Sequence, residues 1–235
     1  MGVMQEALSV IKVYYSSKRR AQGEGIIMKT RDRILQTSLQ LFNEKGEPHV
    51  TTNYIADEMN ISPGNLYYHF RNKDEIVYFL FLRYEEQMQA VLEVPKSRSL
   101  NMEDMWLFLH LAFECIWQYR FLYRDLDNIL GRNKKLRIHF RRLLQRKVQT
   151  AIDICKGLAE VGIMEANPEE IEALANNIAV IATYWLNFQG IRHEHPGREE
   201  DHLGRGVYQV MILVSPYLRQ DMRELLYRLS HDYLD

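Results

Sequence analysis

Residues 61–75, ISPGNLYYHFRNKDE, bring a proline, a glycine, two tyrosines, a histidine and a lysine together in one short stretch. Ser62 can accept from free N–H groups at a helix start, and Pro63 has no N–H to leave unsatisfied, so a helix opens here. Gly64 and Asn65 continue that start with almost no bulk, and Tyr67, Tyr68 and His69 then crowd polar-tipped rings into its end. A helix made to bury itself would not carry these residues. Small residues at the start let the backbone approach a polar partner closely, and free N–H groups at a helix start suit phosphate oxygens. Tyr68, His69 and Lys73 add donors on the flanks.

The elements that must position this stretch are helical. From Met28 the apolar residues Ile34, Leu35, Leu39, Leu41 and Phe42 recur at helical spacing, and Lys45-Gly46 supplies a C-cap. Thr51 or Thr52 can cap a second helix carrying Ile55, Ala56 and Met59. It stops at Asn60, a residue that tolerates the left-handed backbone of a tight turn. A fourth helix runs from near Asn72 to about Glu93, where Pro95 breaks the pattern. Helix two, a short turn and helix three form a helix-turn-helix, whose second helix can enter a major groove. Ile55, Ala56, Ile61, Leu66 and Phe70 have the spacing of the packing between these helices.

The segment TTNYIADEMNISPGNLYYHFRNKDEI resembles the DNA-binding segment of TetR-type (TetR/AcrR) transcriptional regulators. Thr52, Ile55, Ala56, Ser62, Gly64, Leu66, Tyr67, His69, Phe70 and Lys73 fill the places of that family's pattern, and Asn60 stands where the family often has Gly. The resemblance implies that Thr52, Tyr67 and Lys73 hold phosphates while Asn53, Pro63, Gly64, Asn65 and Tyr68 face the bases. At helical spacing from Phe70, Tyr67 fits a packing role equally well. The similarity covers residues 29 to about 75; the rest of the chain agrees in being helical and of suitable length.

No alternating apolar and polar runs mark a sheet, so the fold class is all-α: a three-helix helix-turn-helix domain followed by a larger helical domain. Residues 1–27, with Lys18, Arg19 and Arg20 together, read as a mobile N-terminal appendage or a basic arm. Residues 28–75 form the DNA-binding domain and 76–235 the ligand-binding and dimerisation domain. Residues 102–122 are apolar nearly all round and read as one central helix. A short helix near 123–130, a long one over 133–161 and an Ala-rich one from Pro168 to Phe188 follow. The stretch 190–206 reads as the longest loop, with Gly204 and Gly206 at a helix start, and helices near 203–216 and 218–233 finish the chain.

With 46% hydrophobic and 26% charged residues the chain can bury a substantial core, and its formal charge of −1 neither supports nor excludes DNA. Cys115 and Cys155 lie in apolar helical patterns, which suits a reducing compartment. No stretch approaches a membrane span or a secretory signal, so a cytoplasmic protein with no membrane partner is expected.

Among weaker signals, eight Lys or Arg and no acid lie between Arg132 and Lys147. They read as a solvated face, a phosphate contact near DNA, or a handle for an anionic ligand. His193, His195 and His202 sit among acids without a metal-binding spacing, so no metal and no cofactor is expected. The family resemblance implies an apolar small-molecule site between the central helices. Trp106, His110, Phe113, Trp117, Tyr184 and Asn187 are its candidates, although such aromatics also serve as core.

A single recognition helix reads few bases, so a homodimer on a near-palindromic double-stranded operator is expected. Ala175, Ile178, Ala179, Ala182 and Trp185, with Met222, Leu225, Leu226 and Leu229, form stripes that suit a four-helix dimer interface, or else face their own core. Together these readings describe a transcriptional regulator, most readily a repressor released by a small apolar effector. The alternative is an all-helical ligand-binding protein or enzyme with a vestigial helix-turn-helix. It would need a catalytic constellation, and the sequence has no GxSxG, HExxH, phosphate loop or paired Cys-His arrangement.

Overall fold

The computed structural model describes residues 29–94, 98–192 and 199–231, with backbone alone at 199–203 and 229–231. The expectations for residues 1–27, for the side chain of Leu229 and for the histidine cluster at 193–202 fall outside this description. Among the described residues the chain is helical throughout, with one isolated β-bridge between Met164 and Leu218.

Helix α1 (Thr30–Lys45) ends at Gly46, whose φ of 82° needs a residue without Cβ. A 3-10 turn (Glu47–His49) leads to α2 (Thr52–Glu58), capped by Thr51, whose hydroxyl accepts from Tyr54 N at 3.1 Å. Asn60 takes the left-handed turn at φ 52°, and Ser62 caps α3 (Pro63–His69) by accepting from Asn65 N at 3.2 Å. Ile55, Ala56, Leu66 and Phe70 are buried between α1, α2 and α3 as their spacing predicts. A fully buried Leu or Phe contributes about 1.5–3 kcal/mol, enough for a few such residues to hold two seven-residue helices that could not stand alone. Helix α4 (Lys73–Val91), capped by Asn72, then runs from this unit into the larger one.

The apolar stretch 102–122 is not one helix. Helix α5 (Met102–Gln118) stops at Tyr119, and a five-residue α6 (Arg120–Arg124) follows. The break is held by Asn43 of α1, which donates from Nδ2 to Gln118 O at 2.9 Å and accepts at Oδ1 from Phe121 N at 3.1 Å. One buried amide thus replaces the backbone bonds a continuous helix would make, and sequence periodicity cannot see it because Asn43 lies far away in the chain.

Helix α7 (Leu126–Arg132) leads to α8 (Lys134–Glu160), which closes on Gly162 at φ 71°. Helix α9 (Pro168–Arg192) packs along α8 and α10 (Glu199–Val214), and α11 (Gln220–His231) ends the described chain. The expected loop over 190–206 is therefore shorter, since α9 continues to Arg192 and α10 begins at Glu199. Gly206 lies inside α10, not at its start. A Cβ there would sit 2.8 Å from Trp185 Cδ1 and closer still to Phe113, so glycine lets α10 press against α5 and α9.

Candidate nucleic-acid interface and ligand cavity

The start of α3 and the flank of α2 form one accessible face. Asn53, Ser62, Pro63, Gly64, Asn65, Tyr67 and Tyr68 are exposed, Tyr68 at 84%, while Thr52, His69 and Lys73 are half-buried. Thr52 Oγ1 and Tyr67 OH lie 2.9 Å apart, so two of the three side chains expected at phosphates are joined in one hydrogen bond. Tyr67 is 48% exposed, which places its ring outside the core. A Cβ on Gly64 would meet only Ser62 Oγ, at 3.9 Å, so packing within the chain does not explain the glycine. The Tyr68 and His69 rings meet edge-on at 5.1 Å, bracing the far end of the helix.

Lys73 is not a free cation. Its Nζ lies 2.9 Å from Glu47 Oε1 and donates to Glu47 O at 3.0 Å. Glu47 is fully buried at its side chain and also faces Arg132 Nη2 at 2.6 Å, while Arg132 Nε reaches Asp74 at 2.9 Å. Both cations crowd Oε1 at ion-pair distance without well-aligned hydrogen bonds, and Oε2 has no partner among the described residues. This knot ties the 3-10 turn, the start of α4 and the end of α7 together. The first residue of the basic run is thereby a joint between the two units, not part of a solvated face.

In the larger unit a cavity of about 80 Å³ lies between α5, α8, α9 and α10. Its walls are apolar, with Met105, Phe108, Phe113, Ile116 and Ile154 among them, and Lys147 is the one charged residue in its lining. Of the expected ligand residues only Phe113 lines it. Trp106 and His110 stack on each other at 5.4 Å outside the lining, and His110 Nε2 lies 3.3 Å from Glu114 Oε1. Burial lowers the His110 pKa and raises that of Glu114 to about 7, so burial works against a charged pair at this contact. Trp117 carries the Arg120 guanidinium over its ring at 4.7 Å, Tyr184 is exposed on the outer face of α9, and Asn187 leaves Oδ1 unpartnered outside the lining. Aromatic residue type pointed to these positions, but helix rotation turns 105, 109, 112 and 116, rather than 106, 110 and 117, towards the cavity.

Lys147 was hidden in the basic run. On α8 it occupies the register of Leu136, Phe140, Leu143, Thr150 and Ile154, so the sequence signal was one lysine on an apolar stripe. Although the residue as a whole is half-buried, its Nζ donates to Tyr84 OH at 2.8 Å and Tyr123 OH at 2.6 Å, hydroxyls of two fully buried tyrosines. Burial pushes its pKa down to about 8, with the Cys115 thiol acting weakly the other way. The Tyr84 and Tyr123 hydroxyls bond to each other, and burial raises both phenol pKa values.

The expected dimer stripes pack in part against the chain's own core. Ala175, Ala179 and Leu226 are buried; Ile178, Ala182, Trp185, Met222 and Leu225 are half-buried against the domain's own core. Ile178, Ala179 and Ala182 even line the cavity. Small residues at that spacing bring α9 close to α8 within one chain. The outward face of α9 instead exposes Val180, Tyr184, Phe188 and Ile191.

Residues 34–78 match the family model described as bacterial regulatory proteins, tetR family, and residues 83–226 match that of a bacterial transcriptional repressor, TetR. The chain belongs to the TetR family of bacterial transcriptional regulators. It is similar to a crystal structure of a TetR-family transcriptional regulator from Marinobacter aquaeolei VT8, with 40% identity and a TM-score of 0.81, covering 88% of this chain and 99% of that one. It is also similar to an HTH-type transcriptional regulator of Staphylococcus aureus strain MRSA252, 36% identical over 47% of this chain and 59% of the relative. The HTH-type transcriptional regulator TcmR of Streptomyces glaucescens is 29% identical over 38% of this chain and 42% of its own length. The chain thus spans about half the length of the curated relatives it matches. As in other TetR-family chains the fold is a helix-turn-helix unit followed by a larger helical one, and among the described residues no helix is long and apolar enough to cross a membrane.

Proposed function

We propose that this TetR-family chain is a repressor that binds a near-palindromic double-stranded operator as a homodimer and is released by a small, mostly apolar effector. The observation that carries the DNA reading is the face around α3: an exposed helix start of small residues at Pro63, Gly64 and Asn65, beside the Thr52–Tyr67 hydroxyl pair. Pro63, Gly64, Asn65, Tyr68 and Asn53 face the bases, and Thr52 and Tyr67 hold phosphates with Ser62 and His69 at the edges. Lys73 takes part through its Glu47-braced position at the start of α4, with less free charge than an unpaired lysine. No catalytic role is assigned to any residue.

The effector reading is supported by the cavity. At about 80 Å³ it is smaller than the roughly 300–1,000 Å³ of typical ligand sites, so an effector must part the helices that line it. Helix α4 packs on α5 and α8 and carries the DNA-binding unit at its other end, so parting those helices tilts α4. A hundredfold loss of DNA affinity requires a coupling of about 2.7 kcal/mol, within the usual allosteric range. The dimer reading is supported by the outward stripe of α9, because an apolar row of Val180, Tyr184, Phe188 and Ile191 is costly to leave in water.

Selection of bound sequences from random DNA tests the proposal. Enrichment of an inverted repeat is the expected result; recovery of no preferred sequence would remove the operator reading.

A further inference from the structure

Lys147 presents an unusual balance of charge. It is the one charged residue in the cavity wall, its ammonium is held by tyrosine hydroxyls, and among the described residues no carboxylate pairs with it. Two of the three ammonium N–H groups are used by Tyr84 and Tyr123. The two hydroxyls bond to each other with one proton, which leaves the second hydroxyl proton and the third ammonium N–H to donate elsewhere. A buried cation beside a dry apolar space is stabilised by an anion that brings its own apolar body.

We propose that the cavity takes a small carboxylic acid with an unbranched or compact apolar tail, its carboxylate held by Lys147, the charged residue of the lining. A carboxylate carries one negative charge, matched by one ammonium; a dianionic phosphate would leave a charge uncompensated in an apolar enclosure. The tail lies among Met105, Phe108, Phe113, Ile116 and Ile154, which offer almost no polar contact. The ammonium that receives the head group also bonds Tyr84 of α4, so occupancy acts on the helix that carries the DNA-binding unit. This last step rests on the effector reading above, whereas binding of the acid does not.

The test is thermal melting of the full chain, without DNA, in butanoate, hexanoate and octanoate, each against the alcohol and the amine of equal length. At pH 7 the best acid is expected to bind at least tenfold more tightly than its alcohol and to raise the melting temperature accordingly, with no stabilisation by the amine. In Lys147→Met the tenfold preference is expected to vanish while binding of the alcohol persists. Equal stabilisation by acid and alcohol in the natural sequence would overturn the proposal, a comparison that stands even if the variant fails to fold. Loss of the preference at alkaline pH, as the amine deprotonates, supports it. An acid that binds in this way but leaves affinity for a selected operator unchanged would refute the link to α4, not the site.

Discussion

Replacing Glu47 with Gln removes the charge at the joint between the two units while keeping the shape of the side chain. Removing one partner from a buried ion pair costs about 3–5 kcal/mol when the other is left buried without compensation. Here Lys73 and Arg132 retain 25% and 28% side-chain exposure, and Arg132 keeps Asp74 at 2.9 Å, so both cations recover part of their solvation. The expected destabilisation is therefore nearer about 2 kcal/mol, which lowers the melting temperature by about 4–8 °C for a chain of this size. The decisive assay is a double-mutant cycle with Arg132→Met. Because the two side chains meet at 2.6 Å, a coupling of about 1 kcal/mol or more is expected, whereas independent sites add to within about 0.5 kcal/mol. Additive effects, or a melting temperature unmoved by Glu47→Gln, would refute the idea that this carboxylate holds the helix-turn-helix unit to α7.

Gly64→Leu is expected to leave helical content and melting temperature nearly unchanged, since a Cβ there meets only Ser62 Oγ, but to abolish specific operator binding in a gel-shift assay. Val180→Arg with Phe188→Arg, both on the exposed row of α9, is expected to give a folded monomer in sedimentation, whereas Ala179→Arg is expected to unfold the chain because Ala179 is buried. The alkaline stability profile has a sign that can be checked by melting between pH 8 and 10. The Lys147 pKa lies at about 8 in the folded chain against 10.5 for a free lysine, so the unfolded chain binds more protons in that interval and stability rises with pH. From pH 9 the Cys155 thiol, which burial pushes up to about 11, stays protonated only in the folded chain and opposes the rise. A climb from pH 8 to 9 that flattens above is expected, and Lys147→Met is expected to lose the climb.

Much of the fold was legible because its signals are local. Thr51, Ser62, Asn72 and Asn133 cap helices within three residues of themselves, and Gly46, Asn60 and Gly162 take the positive φ angles their types favour. The packed faces of α2 and α3 followed from spacing alone. What escaped depends on rotation about a helix axis. Ala175, Ala179 and Ala182 do mark a close helix approach, but spacing cannot say whether the approaching helix belongs to the same chain or a second one. Trp106 and His110 differ from the cavity-lining Met105 and Leu109 by one position, about 100° of rotation, which residue type does not resolve.

The polar contacts between residues far apart in the chain were the least visible of all, and for one reason. Asn43 bonds to residues 75 and 78 positions away, Lys147 reaches Tyr84 across 63, and Glu85 meets His139 across 54. A hydrogen bond imposes no periodicity on the sequence, so a buried Asn or Lys at an apolar position is the only trace it leaves. Such contacts also behave differently from the apolar packing around them. Apolar surfaces slide with small changes in energy, whereas a buried donor or acceptor that loses its partner costs about 1–3 kcal/mol, so these contacts are either made or broken. Asn43 on α1 places one such contact between the DNA-binding unit and α5, and Tyr84 places another between α8 and α4, the helix that leads out of that unit. If an effector acts on α4, it has to break or replace one of them, and the one that touches the cavity is Lys147.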